Sequence, residues 1–279
     1  MPLIEIATAG GIMFGVALTF GVILAIATRT LRVYEDPRID DVEGMLPGTN
    51  CGACGQPGCR AFAEAVVSGS QKPSGCTVSS PDGLALIAEY LGVEAGTQNK
   101  RVARLHCAGG TSSVRRLARY DGLPSCRAAF LVNGGGRACS WGCLGLADCE
   151  RACTFDAIAM NAEALPVVNV EGCTACGDCV EVCPLDLFTI EPLANKVLVQ
   201  CNSPVTGPEA TRACAVACDA CGRCALDAPT GALVMKGGLP VIQDAGRCDV
   251  TCTLRCPTGA IAEVVGNQFQ PRRRLEVAS

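Results

Sequence analysis

Twenty-two cysteines in 279 residues constrain this chain more than any other feature, because they are grouped rather than scattered. Cys173, Cys176, Cys179 and Cys183 form the tightest group, and thiols that close together signal either disulfides or metal. With one histidine, His106, and no C-x-x-C-H string, the chain cannot build ordinary Cys/His zinc fingers or His-ligated haem. Iron–sulfur clusters need only thiolates and are the natural occupants.

The compartment decides between metal and disulfides. From Ile6 to Ala27 the chain has 22 residues without a charge, about 33 Å as a helix at ~1.5 Å per residue, which matches a bilayer core of ~30 Å. Glu5 and the lack of any preceding lysine or arginine argue against a secretory signal. Arg29, Arg32 and Arg38 follow the span, so the positive-inside rule predicts a single-span protein of the inner (cytoplasmic) membrane with its thiols on the cytoplasmic side. Metal ligation is the better reading in that reducing compartment. A net charge of −4 gives no sign of nucleic acid as a partner. Aromatic residues at 4% are few for a core held by side-chain packing alone, and clusters would replace much of it.

The expected fold class is α+β: one N-terminal transmembrane helix, a small helical 4Fe-4S domain, and tandem bacterial ferredoxin-like modules. Residues 1–28 form the span, 29–48 a linker, and 49–95 the N-terminal 4Fe-4S domain. A connecting segment, 96–137, leads to the first module at 138–202 and a second, degenerate module with its tail at 203–279. The apolar spacing of Leu84, Ile87, Ala88 and Leu91 predicts a helix over 82–91 that Gly92 ends. From Cys139 onward, cysteine loops alternate with short apolar strands expected to pair along the chain: 157–160 with 167–170, 187–190 with 197–199, and 232–235 with 240–242. A last strand covers 260–265.

Cys173-x2-Cys176-x2-Cys179-x3-Cys183-Pro184 is the bacterial ferredoxin run, in which three thiolates hold one 4Fe-4S cube and the fourth crosses to its neighbour. Its looser partner is Cys139-x3-Cys143-x5-Cys149-x3-Cys153. The predicted sets are therefore Cys139, Cys143, Cys149 with Cys183, and Cys173, Cys176, Cys179 with Cys153. In the second module Cys218, Cys221 and Cys224 join Cys256, while Ala228, Gly246 and Asp249 stand where further ligands belong. Cys248 and Cys252 are the remnant of a lost site. Cys51, Cys54, Cys59 and Cys76 form a separate set among Gly52, Gly55 and Gly58, followed by an alanine-rich helix whose N-terminal dipole faces the negative cluster. Zinc is the alternative occupant. Cys107, Cys126, Cys201 and Cys214 remain; they either converge on a fifth cluster, give Cys201 and Cys214 to a set with Cys248 and Cys252, or stay as buried free thiols.

This order resembles the B subunit of the Rnf complex in its long form, down to Cys51-Gly52-Ala53-Cys54-Gly55-Gln56-Pro57-Gly58-Cys59 and Gly142-Cys143-Leu144-Gly145-Leu146 before Cys149. The resemblance covers nearly the whole chain. It implies an ion-translocating ferredoxin:NAD oxidoreductase in which this subunit exchanges electrons with soluble ferredoxin and passes them to other membrane and flavin-bearing subunits. Four 4Fe-4S clusters and a fifth are expected. The chain has no P-loop and no dinucleotide fingerprint; Gly134-Gly135-Gly136 reads as a turn, so nicotinamide and flavin chemistry belongs on other subunits and this chain contributes no catalytic residue of its own.

Two other readings fit the residues. One is a cluster-bearing subunit of another membrane hydrogenase or dehydrogenase; the other is a membrane-tethered structural or sensor protein, which a redox titration would separate because zinc gives no reducible chromophore. Gly11 and Gly15 form a small-xxx-small pair suited to helix docking or to a plain anchor. Arg272-Arg273-Arg274 could meet anionic lipid, an acidic ferredoxin or only solvent. His106 has no role visible in the sequence.

Overall fold

The structure, a computed structural model, describes residues 2–30 and 35–269. Arg32 and the arginines at 272–274 lie outside the described residues. Helix α1, Pro2–Thr30, is the one described helix long and apolar enough to cross a membrane, with a mean hydropathy of 2.2 over Gly10–Thr30. Thr19, Thr28 and Thr30 return their hydroxyls to carbonyls within the helix, so these polar groups need no water.

The segment expected to be a plain linker contains helix α2, Arg38–Met45. Val42 is fully buried and packs with Phe62, Ala63 and Val66 of α3, Cys59–Val67, and with Leu84 and Ile87 of α4, Pro81–Leu91. Arg60 fastens α3 to α2 through Asp40 (2.9 Å) and Glu43 (2.8 Å), and also pairs with Glu35. Helix α4 starts one residue earlier than the expected 82–91: the Ser80 hydroxyl caps it by accepting from Gly83 N, and Gly92 ends it in the left-handed conformation.

Two β-α-α-β-β-α-β units follow. The first contains β1 (Arg101–Leu105), α5 (Cys126–Leu131), α6 (Asp148–Ala152), β2 (Ile158–Met160), β3 (Pro166–Val168), α7 (Asp178–Val182) and β4 (Phe188–Pro192). The second contains β5 (Val197–Val199), α8 (Gly207–Ala213), α9 (Arg223–Asp227), β6 (Leu233–Lys236), β7 (Leu239–Ile242), α10 (Thr251–Leu254) and β8 (Ile261–Glu263).

Strand pairing corrects one expectation. The hairpins β2–β3 and β6–β7 form as read, but β4 does not pair with β5. Instead β4 runs antiparallel to β1, with Leu105 opposite Phe188, and β5 runs antiparallel to β8, with Val199 opposite Ile261. Each unit thus closes its first strand on its last. Strand β1 is hidden in the sequence because Arg101 and Arg104 break its apolar run, yet Arg104 is only 2% exposed, its guanidinium donating to Gly266 O at 2.8 Å. Gln268 completes that edge by bonding both N and O of Leu105. His106 joins the units, with one ring nitrogen 2.8 Å from Val199 O and the other 2.7 Å from the Thr189 hydroxyl.

Candidate metal centres

The loop before α7 shows how local sequence places three thiols. Ala175 (φ 63) and Gly177 (φ 100) are left-handed on either side of Cys176, so the backbone coils around a small space before the helix begins. The loop before α9 repeats the device with Ala220 (φ 62) and Gly222 (φ 73) around Cys221. Left-handed alanine costs about 1–2 kcal/mol, so the repeated strain marks a constraint beyond chain reversal. Cys153, Cys173, Cys176 and Cys179 line one cavity, the predicted set. Backbone N–H groups point at the crossing thiols: Ala157 N lies 3.3 Å from Cys153 Sγ and Leu187 N 3.5 Å from Cys183 Sγ.

The loop before α6 uses the same device with one ligand moved. Gly145 (φ 74) and Ala147 (φ 64) occupy the places of Ala175 and Gly177. That alignment puts Cys143 with Cys173, Cys149 with Cys179, Cys153 with Cys183, and Leu146 where Cys176 stands. Cys139 therefore falls outside the run. The cavity beside Cys143, Cys149 and Cys183 is completed by Cys126, which corrects the expected set. Asp148 is the physical reason. Its buried carboxylate accepts from the Ser125 hydroxyl (3.0 Å) and from Arg127 N (3.2 Å), holding α5 on both sides of Cys126. Arg151 pairs with Asp148 and donates to Pro124 O and Leu146 O, each at 3.0 Å.

Cys139 joins Cys107, Cys201 and Cys214 around a further cavity beside Trp141. Three of the expected quartet thus come together, with Cys139 in place of Cys126. Gly142 lies against this group, its Cβ position 3.4 Å from both Cys107 Sγ and Cys139 Sγ. The rival set with Cys248 and Cys252 does not form. Those two thiols touch each other at 3.1 Å and pack in a core with Val197, Leu233 and Ile261.

Cys218, Cys221, Cys224 and Cys256 are neighbours in the second unit, and Cys221 is the one exposed cysteine among the described residues. Burial pushes the Cys256 thiol up, but N–H groups of Ile261, Thr258 and Ala260 outweigh it and hold the thiol below its ordinary value. In the N-terminal group, Asn50 Oδ1 accepts from Cys59 N at 2.7 Å at the start of α3. Gly58 permits this, since a Cβ there would lie 2.8 Å from that oxygen. The Ser79 hydroxyl donates to Cys76 Sγ at 3.2 Å.

Burial, reinforced by neighbouring thiols, pushes Cys107 up to about 11 and Cys149 and Cys179 to about 12. Such groups are thiolates at neutral pH only beside a strong positive charge, which iron supplies. Donor chemistry fits as well: these cavities present sulfur and apolar carbon, while the lone imidazole is bonded elsewhere. Among the described residues no three His, Cys, Asp or Glu side chains draw together as ligands of one ion, and a cube, which takes each thiolate on a different iron, does not require them to.

The groups also adjoin one another. The Thr77 hydroxyl beside Cys76 donates to Thr174 O beside Cys173 at 2.7 Å. Cys179 feels the charge of Cys149, Cys143 N lies 3.3 Å from Cys107 Sγ, and Cys218 feels Cys201.

Comparisons with known proteins agree with this chemistry. An Fe-S cluster family model matches residues 46–78 and a 4Fe-4S binding domain model matches 166–189. The chain is 40% identical over 90% of its length to the B subunit of the Na+-translocating ferredoxin:NAD+ oxidoreductase complex of Acetobacterium woodii, covering 76% of that protein. It is 36% identical to the B subunit of the proton-translocating ferredoxin:NAD+ oxidoreductase complex of Clostridium ljungdahlii, covering 96% of each chain. The B subunit of the ion-translocating oxidoreductase complex of Methanosarcina acetivorans is 35% identical over 90% of this chain and 95% of its own. With its apolar N-terminal helix and its grouped thiols, the chain belongs to the B subunits of ion-translocating oxidoreductase complexes, as a membrane-complex electron-transfer subunit that carries 4Fe-4S clusters.

Proposed function

We propose that this chain exchanges electrons with soluble ferredoxin and relays them inside an ion-translocating ferredoxin:NAD oxidoreductase, with its thiols on the cytoplasmic side of the membrane. What carries this reading is that neighbouring thiols sort into five four-cysteine groups that would adjoin in series. In order they are Cys51/Cys54/Cys59/Cys76, Cys153/Cys173/Cys176/Cys179, Cys126/Cys143/Cys149/Cys183, Cys107/Cys139/Cys201/Cys214 and Cys218/Cys221/Cys224/Cys256. Bound 4Fe-4S clusters supply reversible one-electron chemistry there. The chain's own part is to hold the groups in line, to exclude water with apolar walls and to turn backbone N–H groups toward sulfur. The closed units run from β1 to β4 and from β5 to β8, and the N-terminal group sits on α3 and its flanks.

Iron and acid-labile sulfide per chain test the reading, together with EPR of the protein after reduction by reduced ferredoxin. About twenty irons and ferredoxin-reducible signals support it. Zinc in place of iron, or signals that ferredoxin leaves untouched, would sink it.

A further inference from the structure

Residues 111–137 form a lobe inserted in the first unit between β1 and its first cysteine loop. Besides delivering Cys126, the lobe carries a surface that the cluster sites do not use. It holds five arginines and one acidic residue, Asp121, in a chain whose net charge is −4. Arg137 is buried and donates to Gly109 O at 2.7 Å, while Arg115, Arg116, Arg119 and Arg127 are exposed. Among the described residues the guanidinium groups of Arg115, Arg116 and Arg127 have no partner; Arg119 pairs with Asp121 at 2.8 Å. Leu123 (73%), Leu131 (79%) and Val132 (62%) on the same lobe are largely exposed. The surface is preformed: the Tyr120 hydroxyl donates to Leu123 O at 3.0 Å, Leu117 N to Gly136 O at 2.8 Å, and Asp148 holds the start of α5.

We propose that this lobe is the docking surface for an acidic electron-carrier protein, the soluble ferredoxin of the functional reading, on which this inference rests. Positive charge would steer and orient an acidic partner, and the leucines would hold it dry over the group that contains Cys126. A small patch suits a transient redox encounter. A rival exposed place beside a cysteine group is the end of the second unit, where Leu226 and Leu254 flank the group of Cys221. Charge there is balanced, with Arg255 paired to Asp227.

The test is a calorimetric titration of the full, cluster-loaded chain with a two-cluster ferredoxin at low and high salt. Arg116→Glu with Arg119→Glu should raise Kd about tenfold at low salt, and high salt, where the Debye length shrinks to ~3 Å, should erase the difference. Leu131→Ser should weaken binding several-fold at both salt levels, with iron content and EPR spectra of all variants unchanged. A Kd that the charge reversal leaves alone overturns the docking surface. So does weakening by Leu226→Ser with Leu254→Ser alone, which would move the dock to the second unit. If the unaltered chain binds no ferredoxin and takes no electrons from it, the functional reading falls and the surface with it.

Discussion

The two ferredoxin-like units have both lost cysteines from the same pattern, and they met the loss differently. In the first, Leu146 stands at one ligand place, and Cys126 arrives from an inserted lobe that Asp148 and Arg151 hold down. In the second, Ala228, Gly246 and Asp249 leave three places empty, and the space closes as a core around Cys252, which is fully buried. One missing ligand can be supplied from outside the loop. Three missing ligands leave too little to hold a cluster, and packing takes over.

The largest expected effect comes from exchanging the solutions. Cys126→Ser should remove about four irons per chain and one EPR signal, and Leu146→Cys in the same chain should restore both. No restoration would break the alignment of Leu146 with Cys176. In the second unit, Ala228→Cys, Gly246→Cys and Asp249→Cys together rebuild a ligand set with Cys252. About 24 irons per chain are expected, and a count that stays near twenty would show that the core of Cys248 and Cys252 prevails.

Asp148→Ala leaves Arg127 N and the Ser125 hydroxyl without their acceptor and Arg151 without its ion pair, which should cost about 1–3 kcal/mol in chemical denaturation and make one cluster labile to chelator. Asp178→Ala, at the equivalent place in the next loop, removes the surface bond from Thr154 and a contact with the Cys176 thiol, and should cost less than about 1 kcal/mol. Equal losses would mean that Asp148 does not secure the lobe. Cys252→Ala should cost on the order of 1 kcal/mol with no change in iron.

The smallest effect is acid-dependent. Hydrogen bonding by His106, then by Thr189 and Asn195, holds the Glu191 carboxyl below its ordinary 4.5 against the opposing pull of burial. Its stabilisation is complete above pH 4.5 and is lost as pH falls through the lowered folded value. Glu191→Gln should flatten stability in that acid window by less than about 1 kcal/mol, and an unchanged slope between the two proteins would remove Glu191 from the account.

Local signals are legible in the sequence. The span, helix α4 with its Ser80 and Gly92 boundaries, the hairpins β2–β3 and β6–β7, and the set of Cys153, Cys173, Cys176 and Cys179 all follow from spacing over a few residues. What the sequence hides depends on distance along the chain. Strand β1 pairs with a partner nearly ninety residues away, and its buried Arg104 disguises it as polar. Cys126 and Cys139 exchange places between expectation and structure because nearness in sequence is not nearness in space. A signal is present all the same, since Gly145 and Ala147 repeat the offsets of Ala175 and Gly177 from their cysteines.

The cavity of Cys107, Cys139, Cys201 and Cys214 draws two thiols from the first unit and two from the second. It can close only after both have folded, so a cluster held there would be a clasp installed late in assembly. Without that clasp the units would still touch through His106 and through backbone bonds such as Ala108 N to Gln200 O, but the path for electrons between them would be cut.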